Sequence, residues 1–148
     1  MKLSVEQQHI LDRVKAGNNI AVDAVAGTGK TTLILSIAAD LKEKQILQMT
    51  YNKSLKFEVR EKIENAKIEN LNVHTFHSLA VCYYSETAYV DNEIRKIIVE
   101  NKKPTKKIPN IDVLVLDESQ DMTFLYFQLM CKFLFDMGNC VQLIVLGD

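Results

Sequence analysis

The sequence predicts an α/β fold, a parallel β-sheet covered by helices on both faces. Three observations carry this. Apolar runs of strand length alternate with stretches of helical period, the pattern of successive βαβ units. Most of the runs are nearly continuous rather than alternating, most clearly residues 111–117, IDVLVLD, as expected of strands buried on both faces. And the turn from the first run into the next helix reads AVAGTGKTT, Ala24 to Thr32, a glycine-containing loop that opens a helix.

The elements follow in order. Ser4 can cap a first helix over about residues 5–16, with Val5, Ile10, Leu11 and Val14 available for one face. Gly17 and the Asn18-Asn19 pair end it, and a strand at about 19–24 leads into the glycine-containing loop. The next helix carries Leu33, Ile34, Ile37, Ala38 and Leu41 as a stripe of period 3.6. Residues 45–50 form the second strand, and Asn52 or Ser54 starts a helix with Leu55, Val59 and Ile63 inward. Leu71 to Thr75 is a third strand, followed by a helix over Phe76 to Tyr84. Residues 85–110 are the least regular. One helix is expected there, capped by Asp91 with Ile94, Ile97 and Ile98 apolar, and then the basic turn-rich stretch KKPTKKIPN. After the strand at 111–117, a helix over 123–136 is expected to bury Phe124, Phe127, Met130, Cys131 and Leu134. VQLIVLGD supplies the last strand.

Size and composition suit one domain with a real core. The chain has 148 residues, 47% of them hydrophobic and 25% charged. The net charge of −1 gives no global basic field, so nucleic-acid contact has to come from a local patch. Cys82, Cys131 and Cys140 lack metal-site spacing and read as small core residues of an intracellular protein. Neither a signal peptide nor an apolar run of membrane length is visible, so no membrane partner is expected.

The loop carries the first chemistry. Gly27 and Gly29 let the backbone turn tightly and approach a polyphosphate, because no Cβ intervenes. The free N–H groups of Ala26, Gly27, Thr28, Gly29 and the first helical turn through Thr32 face an anion there, at the positive end of the helix dipole. Lys30 adds a point charge for the β- and γ-phosphates, and the Thr31 hydroxyl suits Mg²⁺. Ala24 stands where the usual G-x-x-x-x-G-K-[ST] pattern has its first glycine.

Asp117-Glu118-Ser119-Gln120-Asp121 lies at the carboxyl end of the 111–117 strand, the edge where open α/β sheets bind ligands. Asp117 can hold Mg²⁺ there, and Glu118 can take a proton from the water that attacks a γ-phosphate. Together with the loop, this points to hydrolysis of ATP or GTP. Tyr51 and Phe76 follow strands two and three on the same edge, where aromatic rings either stack on the bases of a single strand or pack against a helix. Lys53 and Arg60 suit phosphate contacts or a plain charged surface, as does the cluster Lys102, Lys103, Lys106 and Lys107. His74 and His77 have no ligand set around them that would make a metal site.

These motifs, in this order, resemble the first RecA-like motor domain of superfamily 1 DNA helicases of the UvrD/Rep type. Leu3-Ser4-Val5-Glu6-Gln7 is similar to the family's Q motif, and the resemblance gives Gln7 the adenine, with Gln8 as the register alternative. AVAGTGKTT resembles motif I, with Val25 where the family usually has glycine. Thr50-Tyr51-Asn52-Lys53 resembles motif Ia, and Val73 to Leu79, with His74, Thr75, Phe76 and His77, resembles the TFHS element. Both imply contact with single-stranded DNA. DESQD resembles motif II, which adds Gln120 to Lys30 and Glu118 in the catalytic set, and Leu146-Gly147-Asp148 resembles the opening of motif III. The TYNKSL wording is similar to the F-box DNA helicase branch.

The resemblance implies a RecA-like P-loop NTPase domain over 1–148, with ATP and Mg²⁺ as ligands. Residues 85–110 form a short insertion where the family's 1B subdomain usually sits. The family's second RecA-like domain and its arginines are expected in cis or from a partner chain, with this stretch a fragment of such a motor. A P-loop accessory module without motor activity, and an RNA motor, are the alternatives.

Overall fold

The computed structural model describes residues 2–23 and 29–147. The element order is α1 (Val5–Lys15), β1 (Ile20–Asp23), α2 (Lys30–Asp40), β2 (Ile46–Thr50), α3 (Lys53–Asn65), β3 (Leu71–Thr75), α4 (Phe76–Tyr83), α5 (Asp91–Val99), β4 (Val113–Leu116), a 3₁₀ turn (Ser119–Asp121), α6 (Phe124–Met137) and β5 (Gln142–Gly147). The five strands form one sheet in the order β1-β5-β4-β2-β3, and every pairing is parallel.

Side-chain alternation sends successive strand residues to opposite faces, and two apolar cores result. Ile46, Val73, Val113, Val115 and Ile144 pack beneath α1, α2 and α3, with Leu11, Val14, Leu33, Ile37, Val59 and Ile63. Leu47, Met49 and Leu114 pack against α4, α5 and α6, with Phe76, Leu79, Ile94, Ile97, Leu129 and Phe133. The expected fold class, a parallel sheet with helices on both faces, is what forms.

Local chemistry sets the helix starts. Ser4 and Gln7 make a reciprocal capping box at α1, Asn52 accepts from the Ser54 N–H at α3, and Thr75 and Ser78 form a second box at α4. Thr123 caps α6, and Gly138, at φ 84°, ends it in the left-handed region open to glycine. These caps place the first turns of α3 and α4 directly after β2 and β3, on one edge of the sheet.

Several details differ from expectation. α6 buries Leu129, Met130 and Phe133, whereas Phe124, Phe127 and Cys131 face outward and Phe135 is 84% exposed. The polar stripe of the helix, Gln128, Lys132 and Asp136, is not left to solvent: Lys132 donates to Asn101 and pairs with Asp136, and Asp136 accepts from the Tyr84 hydroxyl. Leu55 is exposed, and Val59 and Ile63 carry the inner face of α3 together with the stem of Lys56. Cys140 is exposed as well and Cys82 half-buried, so the cysteines are not core residues, and all three are free thiols. Asp91 is the first residue of α5 rather than its cap. It favours the helix through its charge in the first turn, while its carboxylate is engaged elsewhere. Among the described residues, no helix is long and apolar enough to cross a membrane.

Candidate functional site: a nucleotide cleft and an adjoining groove on one sheet edge

α2 begins at Lys30, and Gly29 before it has φ 72° and ψ 5°. A Cβ at Gly29 would meet only the end of the Gln7 side chain, so it is the left-handed backbone that calls for glycine there. Ala26, Gly27 and Thr28, like Ala24, Val25 and Asp148, lie outside the described residues. Lys30 is only 8% exposed. Thr31 and Thr32 follow it in the first turn, half-buried, and the Thr32 carbonyl accepts from the Ser36 hydroxyl at 2.9 Å.

β4 delivers the acidic residues to the same place. Lys30 Nζ lies 3.0 Å from Glu118 Oε1, and Gln120 Nε2 donates to Glu118 Oε2 at 2.6 Å. Gln120 and Lys30 hold the Glu118 carboxyl below its ordinary pKa. Glu118 has φ 52° and ψ 47°, the left-handed region that a non-glycine residue rarely occupies. Such conformations persist where the surroundings over-determine them. Here the fixing contacts are the Lys30 and Gln120 bonds and the donation of the Glu118 N–H to Asp117 Oδ1 at 2.9 Å.

Asp117 is more deeply placed. Burial and the neighbouring Glu118 charge push its carboxyl up, while Lys30, the Glu118 N–H and the Gln48 amide act the other way. The loss of water and the added negative charge both favour a proton or a cation beside it. A Thr hydroxyl and an Asp carboxylate are oxygen donors, the set a hard cation such as Mg²⁺ takes together with phosphate oxygens and water. Thr31 and Asp117 therefore suit that ion. Among the described residues, no three His, Cys, Asp or Glu side chains gather into a protein-only metal cage.

Gln7 ties α1 to the loop. Its Oε1 accepts from the Ser4 N–H at 2.9 Å, and its Nε2 donates to the Gly29 carbonyl at 3.2 Å. Gln8 instead faces Asp12, at 2.9 Å. A cleft of about 460 Å³ opens beside Gln7, lined also by Glu6, Ile10, Asp23, Lys30 and Leu146. The sequence pattern singled out none of Glu6, Ile10 and Asp23 for this cleft. Only the packing of α1 beside α2 brings them there.

A second groove, of about 490 Å³, lies beyond the ends of β2 and β3. It is lined by Tyr51, Lys53, Lys56, Thr75, His77 and Tyr89, among others. The strand order puts β5 and β4 between it and β1, from which the phosphate loop departs. Thr50 is buried, and the Asn52 side chain is used as the α3 cap. His77 Nε2 pairs with Asp91 Oδ1 at 2.8 Å, and the Tyr126 hydroxyl donates to the same oxygen at 3.3 Å. Phe76 is 2% exposed, stacked on Tyr126 with ring centroids 4.6 Å apart. Of its two readings, packing is the one this arrangement uses.

Tyr51 packs on Phe76 at 5.0 Å and is half-buried, and its hydroxyl is buried without a partner. Burial, then the charge of Asp121, pushes its pKa up to about 12. His74 turns from the groove to Ser78, 2.9 Å away. Burial and the nearby Arg60, Lys56 and Lys106 lower it to about 4, so it is neutral at physiological pH. Tyr126 carries no motif signal in the sequence, and only the packing of α6 brings its ring onto Phe76.

Comparison with known proteins fits this geometry. The family model described as an AAA domain (AAA_19) matches residues 7–148. The chain is 36% identical over 81 residues to F-box DNA helicase 1 of Gallus gallus, covering 54% of this chain and 8% of that protein. It is 29% identical over 116 residues to the ATP-dependent DNA helicase PIF1 of Candida albicans, covering 78% of this chain and 12% of that one. The crystal structure of the Pif1 helicase from Candida albicans superposes on all of this chain with a TM-score of 0.58 at 24% identity, and the match spans 33% of that structure. The chain thus spans about a tenth of the length of these relatives. It belongs to the AAA domain family that its match identifies, and its fold is the RecA-like domain of the superfamily 1 helicases.

Proposed function

We propose that this chain is the ATP-binding motor domain of an ATP-dependent helicase or translocase that acts on single-stranded DNA. The observation that carries the reading is the convergence of Lys30, Glu118 and Gln120 at one sheet edge, with Asp117 behind them. An incoming triphosphate draws Lys30 from Glu118 to its β- and γ-phosphates. Glu118 then loses a neighbouring cation, its pKa rises, and it becomes a better acceptor for the proton of the attacking water. Gln120 stays on the second carboxylate oxygen and keeps the side chain aimed. Thr31 and Asp117 would hold Mg²⁺, which would supply charge neutralisation at the β- and γ-phosphates. Gln7 stands at the wall of the adjacent cleft, placed for an adenine.

The groove at Tyr51, Asn52, Lys53, Thr75 and His77 offers cations and one ring edge to a strand of DNA. Phe76 acts from beneath, by supporting Tyr51. Residues 85–110, which carry α5, stand as a short insertion in place of a 1B subdomain. Charge stabilisation from the far side of the γ-phosphate comes from a second RecA-like domain, in cis or in a partner chain. The protein works inside the cell, in the cytoplasm, nucleoid or nucleus.

The deciding experiment is ATP turnover by the natural protein with no polymer, with single-stranded DNA and with single-stranded RNA. Stimulation by DNA of at least tenfold is expected. Stimulation by RNA alone would make it an RNA motor. Nucleotide binding with no turnover in any of the three would make it an accessory module.

A further inference from the structure

An amide sits in the middle of the sheet. Gln48 is the central residue of β2, between Val73 on β3 and Val115 on β4, and is 1% exposed. Ile46, Val73 and Val115 around it belong to the apolar core beneath α2. A parallel strand buried on both faces runs apolar, and an amide there gives up its bonds to water. Gln48 recovers only part of them, because its Oε1 has no partner among the described residues. The hydroxyl of Thr50, two residues along on the same face, is likewise buried and unpartnered.

The register shows what the amide is near. Met49 pairs with Leu116 and accepts a hydrogen bond from the Asp117 N–H at 3.1 Å. Asp117 is therefore the next residue outward, beside Thr50. Alternation puts Gln48, Thr50 and Asp117 on one face, the face covered by α2, whose first turn holds Lys30 and Thr31. Gln48 and Asp117 thus lie on one face of neighbouring strands, and the Gln48 amide favours the charged form of the Asp117 carboxylate. Asp117 has one donor from its own turn, the Glu118 N–H at 2.9 Å, and a buried amide beside it on the same face of the sheet.

We infer that Gln48 is a positioning residue. Its amide holds one oxygen of Asp117 inward, so that the other is presented to the nucleotide-bound divalent cation. The inference rests on the nucleotide reading above. Lys30, the other group favouring the Asp117 charge, moves to the phosphates when a triphosphate binds. The two neutral donors then remain to fix the carboxylate, and outer partners of this kind orient metal-binding groups at a cost of 10–100-fold in affinity when removed.

The test is Gln48→Met, which keeps length and approximate volume and removes the amide. Binding of a fluorescent ATP analogue is titrated with Mg²⁺, and with Mn²⁺ as a spectroscopic probe, alongside urea unfolding. The expected result is a folded variant, as stable as the unsubstituted protein or more so. Its nucleotide affinity without metal is unchanged, and its half-saturating Mg²⁺ rises about tenfold. In an Asp117→Asn background, Gln48→Met should add nothing further to that rise. An unchanged Mg²⁺ requirement overturns the inference, whether or not stability falls. Gln48→Leu serves the same comparison if methionine is not accommodated. An unsubstituted protein that shows no metal-dependent nucleotide binding would instead overturn the nucleotide reading, and this inference with it.

Discussion

Lys30 Nζ and Glu118 Oε1 are 3.0 Å apart, a contact that joins the first turn of α2 to the end of β4 across 88 residues of chain. Both side chains are largely withdrawn from solvent, with 9% and 24% of their surface exposed. Neither charge is well screened there, and Gln120 adds a second bond to the carboxylate. On the nucleotide reading proposed above, a triphosphate takes the lysine out of this pair as it binds.

Glu118→Gln is therefore expected to do two things. Nucleotide should bind several-fold more tightly, because Lys30 no longer leaves a carboxylate. Turnover should fall by roughly 10²–10⁴, the usual contribution of a general base. Calorimetry and a steady-state ATPase assay on the natural motor check the two halves. Turnover within tenfold of the unsubstituted protein would remove Glu118 from the role of base.

Lys30→Ala should weaken triphosphate binding by at least tenfold, since a charge-assisted contact is lost. It should also raise the Glu118 pKa toward its ordinary value, with Gln120 keeping part of the depression. Equal affinity for ATP in the two proteins, by calorimetry, would end the phosphate-loop assignment.

Gln7→Ala removes the reciprocal half of the α1 capping box and the bond to the Gly29 carbonyl. A stability loss of about 1 kcal/mol is expected from the cap alone. ATP should be weakened more than inorganic triphosphate, because the same side chain borders the adjacent cleft. If the preference for ATP over GTP is unaltered, Gln7 supports the loop and reads no base.

His74 makes stability depend on pH. Its folded pKa of about 4 lies below the ordinary 6.5, because burial and then Arg60, Lys56 and Lys106 disfavour the charged ring. The unfolded chain therefore takes up the proton first. Stability is full above pH 6.5 and is lost as pH falls toward 4. A gap of about 2.5 pH units at 1.36 kcal/mol each sets a ceiling of about 3 kcal/mol. Asp117, whose folded pKa is raised, works in the opposite sense and regains stability as it is protonated. Urea midpoints at pH 7 and pH 4.5 should lie closer together in His74→Gln than in the unsubstituted protein. An identical difference in both would mean that His74 is not the group responsible.

The sequence by itself determined the fold class, the order of elements and which chemical groups stand at the carboxyl ends of the strands. The reason is that these are local. Strand runs apolar on both faces, caps such as Ser4, Asn52 and Thr75, and a glycine-lysine-threonine turn each act within a few residues of chain. Tertiary structure decided which of several equivalent choices each residue took. α6 carries a polar stripe, Gln128, Lys132 and Asp136, that period alone would send to solvent, yet Tyr84 and Asn101 engage it, and Phe135 turns outward while Phe133 turns inward. Phe76 could serve a base or the core until Tyr126, 50 residues on, covered its ring. The closure of Lys30 on Glu118 and the placing of Gln48 and Asp117 on one face depend on the parallel register of β2, β4 and β5. That register is fixed by packing between segments distant in the chain, so no local stretch encodes it.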